Sequence, residues 1–136
     1  VAVQFGVVPV RIAEGEVRIL LVTSRDTRRW VVPRGNPIPN LSPEQTAAQE
    51  AFEEAGVRGS VRSPPLGSYR YDKRKRSGVV VPTEVRLFTM MVEEELDSWP
   101  ERNQRERRWF APDEAADAVH EADLKLLLRG VEAPLC

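Results

Sequence analysis

Ser42-Pro43-Glu44-Gln45-Thr46-Ala47-Ala48-Gln49-Glu50-Ala51-Phe52-Glu53-Glu54-Ala55-Gly56-Val57 carries both ends of a helix in its own letters. Serine at the N-cap, proline at the first helical position and glutamine at the third form a capping box, so the helix starts at Pro43. Alanines carry it forward, and Gly56 stands where a left-handed C-terminal residue is wanted, so it ends at Ala55. At about 100° per residue, Glu50, Glu53 and Glu54 share an arc of roughly 100°, with Ala48, Ala51, Phe52 and Ala55 on the other side. Like charges three and four residues apart repel by about a few tenths of a kcal/mol each, so the acidic face calls for a cation. Mg²⁺ and Mn²⁺ take hard oxygen ligands and would answer that call in phosphoryl chemistry. A solvated charged face is the other reading that the helix alone allows.

Outward from this helix, Val3 to Val10 and Val17 to Thr23 read as a β-hairpin turning at Glu14-Gly15. Trp30-Val31-Val32 is a short strand stopped by Pro33, and Gly35 to Pro39 is an irregular loop. Strands are expected at Leu66–Tyr71 and Pro82–Val92, with Asp72 to Gly78 as a basic hairpin tip between them. Glu93 to Arg108 reads as a long charged loop and Trp109-Phe110 as a short strand. Pro112–Val119 and Asp123–Arg129 read as two helices.

The 136 residues suit one domain, and no apolar run reaches the roughly 20 residues of a membrane span. Val1 to Val10 lacks a basic leader and continues as a strand, so it does not read as a signal peptide. Cys136 is the one cysteine, read as a frayed terminal residue, which excludes an internal disulfide and suits a cytoplasmic protein. A net charge of −1 argues against a general nucleic-acid binder. The charge is nevertheless uneven. Thirteen of the 20 basic residues fall in three segments: Arg25, Arg28, Arg29, Arg34; Arg70, Lys73, Arg74, Lys75, Arg76; and Arg102, Arg105, Arg107, Arg108. His120 reads as a surface residue, and Trp30 and Phe52 as packing residues.

Gly35, followed by Glu50-Ala51-Phe52-Glu53-Glu54-Ala55-Gly56-Val57, resembles the Nudix box, G-x5-E-x7-R-E-U-x-E-E-x-G-U with U aliphatic, and the spacing from Gly35 to Gly56 fits without a gap. Leu41 stands at the first glutamate of the pattern and Gln49 at its arginine. Those two side chains pair in Nudix boxes, so both partners are lost together and no unpaired charge remains. Glu44 is a partial substitute for the missing acid. Arg28-Arg29-Trp30-Val31-Val32-Pro33 and Arg105-Glu106-Arg107-Arg108-Trp109-Phe110 are similar to diphosphoinositol polyphosphate and diadenosine polyphosphate phosphohydrolases.

The resemblance implies an α/β fold, an α/β/α sandwich with a mixed, mostly antiparallel sheet and the box helix beside its open end. It implies a Mg²⁺- or Mn²⁺-dependent hydrolase of phosphoanhydride bonds, with Glu50, Glu53, Glu54 and the backbone carbonyl of Arg34 as metal ligands and Glu53 and Glu54 as catalytic carboxylates. Gly35 would allow the tight turn that aims that carbonyl inward. A further acid would come from Glu94, Glu95, Glu101 or Glu106. Arg28, Arg29, Arg34, Arg70, Lys73, Arg74, Lys75 and Arg76 would bind the phosphates of a small-molecule substrate, in a monomer or homodimer. A Nudix-like sensor that binds without cleaving is the competing reading, and a basic module for RNA ends is a third.

Overall fold

The structure, a computed structural model, describes residues 1–131; Cys136 lies outside them. β1 (Ala2–Ala13) and β2 (Glu16–Thr23) form the first hairpin, with Val10 opposite Ile19 and the turn made by Glu14 and Gly15, both at positive φ. The remaining strands are β3 (Trp30–Val31), β4 (Arg34–Gly35), β5 (Val57–Arg74), β6 (Val80–Glu95) and β7 (Arg107–Phe110). The sheet runs β3-β2-β1-β6-β5, with β4 on β1 and β7 on β2. β1 and β6 are parallel and every other pairing is antiparallel.

β1 is buried on both faces from Gly6 to Val10, because each face meets its own helical layer. Val7, Leu20, Val22, Phe88 and Met90 point to one side and pack against Ala47, Ala51 and Ala55 of α1 (Pro43–Ala55). Val8, Val10, Ile19, Leu21, Tyr69 and Leu87 point to the other, against α2 (Pro112–Ala118) and α3 (Ala122–Arg129). This is the α/β/α sandwich with a mixed sheet. Helix α1 lies against one face of the sheet, chiefly over β1 and β5. No helix among the described residues is long and apolar enough to cross a membrane.

Three expectations are corrected. β5 begins at Val57, not Leu66, because Pro64 and Pro65 fall in a register shift between Arg62 and Gly67, where the ladder asks for no N–H donor. Glu93–Glu95 extend β6, Glu95 opposite Val57 and Glu94 opposite Arg58 with Glu93 in a register shift, which shortens the charged loop to residues 96–106. Of the expected loop Gly35 to Pro39, Gly35 belongs instead to β4, which pairs with Phe5 and Gly6 of β1, while the carbonyl of Pro33 accepts from the N–H of Val7 at 3.1 Å.

Candidate active site

Helix α1 forms as its letters dictate. Ser42 Oγ accepts from the N–H of Gln45 at 3.1 Å, Gln45 Oε1 accepts from the N–H of Ser42 at 2.9 Å, and Gly56 closes the helix at φ 65°. Its far end is capped by residues distant in sequence. Arg107 donates to the carbonyls of Ala55 (2.9 Å) and Leu96 (2.7 Å) and stacks on Trp99, whose Nε1 donates to the carbonyl of Glu54 at 3.2 Å. The orphan carbonyls of the last turn thus find donors, and the loop 96–106 is fastened to the helix.

The two faces expected for α1 are not separate. Glu54 belongs to the buried stripe with Ala47, Ala51 and Ala55 and is only 6% exposed, whereas Phe52 is half-buried beneath the guanidinium of Arg58 and lies outside both apolar clusters. Trp30 does pack, edge-on against Phe110. Glu50, Glu53 and Glu54 all face one open cleft of about 1570 Å³. Glu54 Oε1 accepts from the backbone N–H of Arg34 at 3.4 Å, so the Arg34 backbone does lie against this acid. Gly35 is not at positive φ, and what its missing side chain leaves is room for the Glu50 carboxylate, which a Cβ there would displace.

Of the four candidate further acids, Glu101 alone lines the cleft. Glu94 faces Arg58, Glu95 faces Arg11, and Glu106 faces Arg28. Between Glu54 and Glu101 lies Arg105, its side chain 9% exposed, at 2.8 Å from Glu101 and 3.7 Å from Glu54. Its Nη1 also donates to the carbonyl of Thr23 at 3.0 Å. Arg105 carried no role in the reading of the sequence. Its spacing of four from Glu101 is the signal that could have found it.

Arg29, Arg70, Lys73, Arg74, Lys75 and Arg76 line the cleft, as does Arg25. Arg28 does not; it donates to the carbonyl of Gln104 at 3.2 Å and faces Glu106. Arg34 lines the cleft, but its guanidinium lies 4.1 Å over the Tyr71 ring and donates to the Tyr69 hydroxyl at 3.1 Å. Arg107 and Arg108 are engaged elsewhere, as helix cap and over Phe110, so the basic segments converge only in part. Exposed His120 stands on the cleft wall. Glu44 accepts from Ser63 at 2.8 Å and replaces nothing in the box, whereas Gln49 donates to Glu53 at 3.2 Å along the helix.

The electrostatics of the acids are those of a cluster short of positive charge. Burial, Arg105 working against it, and the charges of Glu50 and Glu101 push the Glu54 carboxyl up to about 8. Burial and the neighbouring Glu53 push Glu50 up to about 7. Among the described residues no three His, Cys, Asp or Glu side chains converge on one point. Glu53 is drawn toward Gln49 and Glu54 toward Arg105. As a donor set the carboxylates still fit a hard divalent cation, and such an ion would relieve the burial and repulsion that raise their proton affinity.

Fold and site together define a class: an α/β/α sandwich in which an acidic helix faces a cation-lined cleft. The NUDIX domain family model matches residues 2–129, and the chain belongs to that family. It is 36% identical over 107 residues to Nudix hydrolase 12, mitochondrial, of Arabidopsis thaliana, covering 75% of this chain and 52% of that one. It is 33% identical over 106 residues to diphosphoinositol polyphosphate phosphohydrolase 3-alpha of Mus musculus, covering 76% and 60%. The chain thus spans little more than half the length of the curated relatives it matches. Among solved structures, a C. elegans Ap4A hydrolase binary complex superposes with a TM-score of 0.70 at 20% identity, covering 95% of this chain and 93% of that one. The NUDIX domain of Shewanella oneidensis NrtR, complexed with ADP ribose, gives 0.68 at 15% identity, covering 93% and 83%. These two likenesses are likenesses of fold.

Proposed function

We propose that the chain is a metal-dependent pyrophosphohydrolase that cleaves a phosphoanhydride bond in a polyphosphorylated small molecule: a diadenosine polyphosphate, a diphosphoinositol polyphosphate or another nucleoside diphosphate derivative. The observation that carries this reading is the pair of half-buried Glu50 and buried Glu54 in a cleft that is also lined by Arg70, Lys73, Arg74, Lys75 and Arg76. Water attacks one phosphorus of the anhydride, a new P–O bond forms, the bond from that phosphorus to the bridging oxygen breaks, and the leaving phosphate departs as an anion. Glu50, Glu53, Glu54 and the Arg34 carbonyl are the proposed ligands of Mg²⁺ or Mn²⁺, which when bound supplies charge neutralisation at the phosphates. One of the carboxylates Glu53 and Glu54 takes the proton from water, and the exposed cations orient the phosphate chain.

The test is turnover of diadenosine polyphosphates, diphosphoinositol polyphosphates, nucleoside triphosphates and ADP-ribose with Mg²⁺ or Mn²⁺. Glu54→Gln keeps the size of the side chain and should lower kcat by about a hundredfold or more. Wild-type rates in that variant, or no product from any substrate, would overturn the reading. One observation favours a sensor instead: Gln49 ties Glu53 back along the helix where the family pattern places arginine. Binding measured by calorimetry without product after long incubation would select it.

A further inference from the structure

The end of the β5–β6 hairpin sets aliphatic residues among cations. Val79 is 55% exposed and Val80 41%, while Arg74, Lys75 and Arg76 beside them are exposed and Lys73 is half-buried. Exposed aliphatic residues scattered singly are ordinary; a pair set among cations at a hairpin end asks for a surface that suits both. The turn closes on itself. The N–H of Lys75 donates to the carbonyl of Val79 and the N–H of Gly78 to that of Lys75, each at 2.9 Å, with Gly78 at φ 88°. A Cβ on Gly78 would meet nothing within 4 Å, so the turn stands open to solvent.

Register sorts the side chains behind the turn. Val80 lies opposite Arg74 and Pro82 opposite Asp72, and opposite residues of an antiparallel pair share a face. All four are exposed, whereas Tyr71, Lys73, Val81 and Thr83 on the other face are half-buried or buried. The outward face is therefore aliphatic along β6 and bears Arg74 along β5, with Asp72 the acid nearest the tip.

The cleft uses the cations but not the valines. Lys73, Arg74, Lys75 and Arg76 line it, and Val79 and Val80 are not among the residues that do. A soluble polyphosphate gives the valines nothing to pack against. Single-stranded nucleic acid stacks its bases on aromatic rings, and the hairpin's Tyr71 ring is already covered by the Arg34 guanidinium at 4.1 Å. An anionic lipid surface meets both demands, since aliphatic side chains enter the headgroup region while long basic side chains reach the lipid phosphates.

We infer that the hairpin tip docks the protein on an anionic lipid surface, with Val79 and Val80 entering the headgroup layer and Lys73, Arg74, Lys75 and Arg76 facing lipid phosphates. Two valines bury too little to hold the protein alone, so neutral lipid does not suffice. The docking asks nothing of Glu50, Glu53 or Glu54 and stands apart from the hydrolase reading.

The test is cosedimentation of the whole chain with vesicles of phosphatidylcholine alone or in equal mixture with phosphatidylglycerol, in EDTA so that no divalent ion bridges protein and lipid. The mixed vesicles should bind about tenfold or more tightly than the neutral ones, and about 1 M salt should release the protein. Replacing Val79 and Val80 together with serine leaves the charge unchanged and should weaken binding by about tenfold. Replacing Lys73, Arg74, Lys75 and Arg76 with serine should weaken it by about a hundredfold or more. Both variants alter exposed or half-buried positions, where the fold tolerates change. No binding to mixed vesicles, or equal binding to neutral ones, would overturn the inference. Wild-type binding by the valine variant would overturn it too, leaving only a phosphate-attracting patch. Tight binding of a single-stranded RNA oligonucleotide without vesicle binding would assign the tip to nucleic acid instead.

Discussion

Glu54 is the residue on which the site turns, since it is both a core position and a proposed ligand. Ala47, Ala51, Glu54 and Ala55 follow the i, i+4, i+7, i+8 spacing of a buried stripe, so its burial was legible in the sequence. Of the face expected to pack, Ala48, Ala51 and Ala55 do so, and assigning Phe52 to it in place of Glu54 hid that burial. The consequence is a pH dependence with a definite sign. With folded-state proton affinities raised to about 8 and about 7 from an ordinary 4.5, Glu54 and Glu50 favour folding while protonated. That contribution is complete below about pH 4.5 and is lost as pH rises through about 7 to 8. In EDTA, the melting temperature should therefore fall between about pH 5.5 and 8.5, and Glu54→Gln should flatten the decline. A slope unchanged in the variant would refute the assignment. Arg105 has the complementary role. Removing a buried cation between two ionised acids leaves them uncompensated, so Arg105→Met should cost about 3 kcal/mol in metal-free urea unfolding at about pH 9, where Glu54 has lost its proton. A loss below about 1 kcal/mol would mean that the pairing is weak, and combining it with Glu54→Gln should recover part of the loss.

At the scale of elements, α1 was read to the residue, because its start and stop are local chemistry: Ser42, Pro43, Gln45 and Gly56 need no tertiary partner to be recognised. Ser42→Ala should cost about 1 kcal/mol in chemical denaturation, since it leaves the Gln45 N–H without its acceptor. An effect within error would show that the first turn is held by packing alone. What holds the other end was not legible. Trp99 and Arg107 reach the last carbonyls of α1 across a loop and a strand, and nothing in their local sequence announces a cap. Strand β5 was misread for a related reason. Pro64 and Pro65 are local punctuation for a break, while the bulge that absorbs them is a property of its pairing with β6. β4, two residues long beside Pro33, exists only through Phe5 and Gly6 of β1.

Across the whole molecule, charge is sorted by the fold more than by the chain. A net charge of −1 conceals a cleft lined both by carboxylates from α1 and by the cations of the β5–β6 hairpin. The three basic segments were visible in the sequence, but their roles separate only in three dimensions: Arg105 neutralises acids, Arg107 caps a helix, and Lys73, Arg74, Lys75 and Arg76 remain exposed or half-buried at the cleft. None of these four hairpin residues appears in an ion pair among the described residues, so their field is directed at whatever enters. Replacing all four with serine should raise KM for a polyphosphate substrate by about tenfold at low salt and leave kcat within about twofold, because they attract the substrate and do not touch the bond that breaks. The fold should tolerate the change, since substitutions at surface positions without special contacts usually move stability by about 0.5 kcal/mol or less. Screening supplies the control. The Debye length shrinks from about 10 Å at 0.1 M salt to about 3 Å at 1 M, so the difference between wild type and variant should close as salt is added. A KM unaffected at low salt would show that the hairpin lies outside the substrate's reach, and a KM difference that ignores salt would replace attraction at a distance with direct contact.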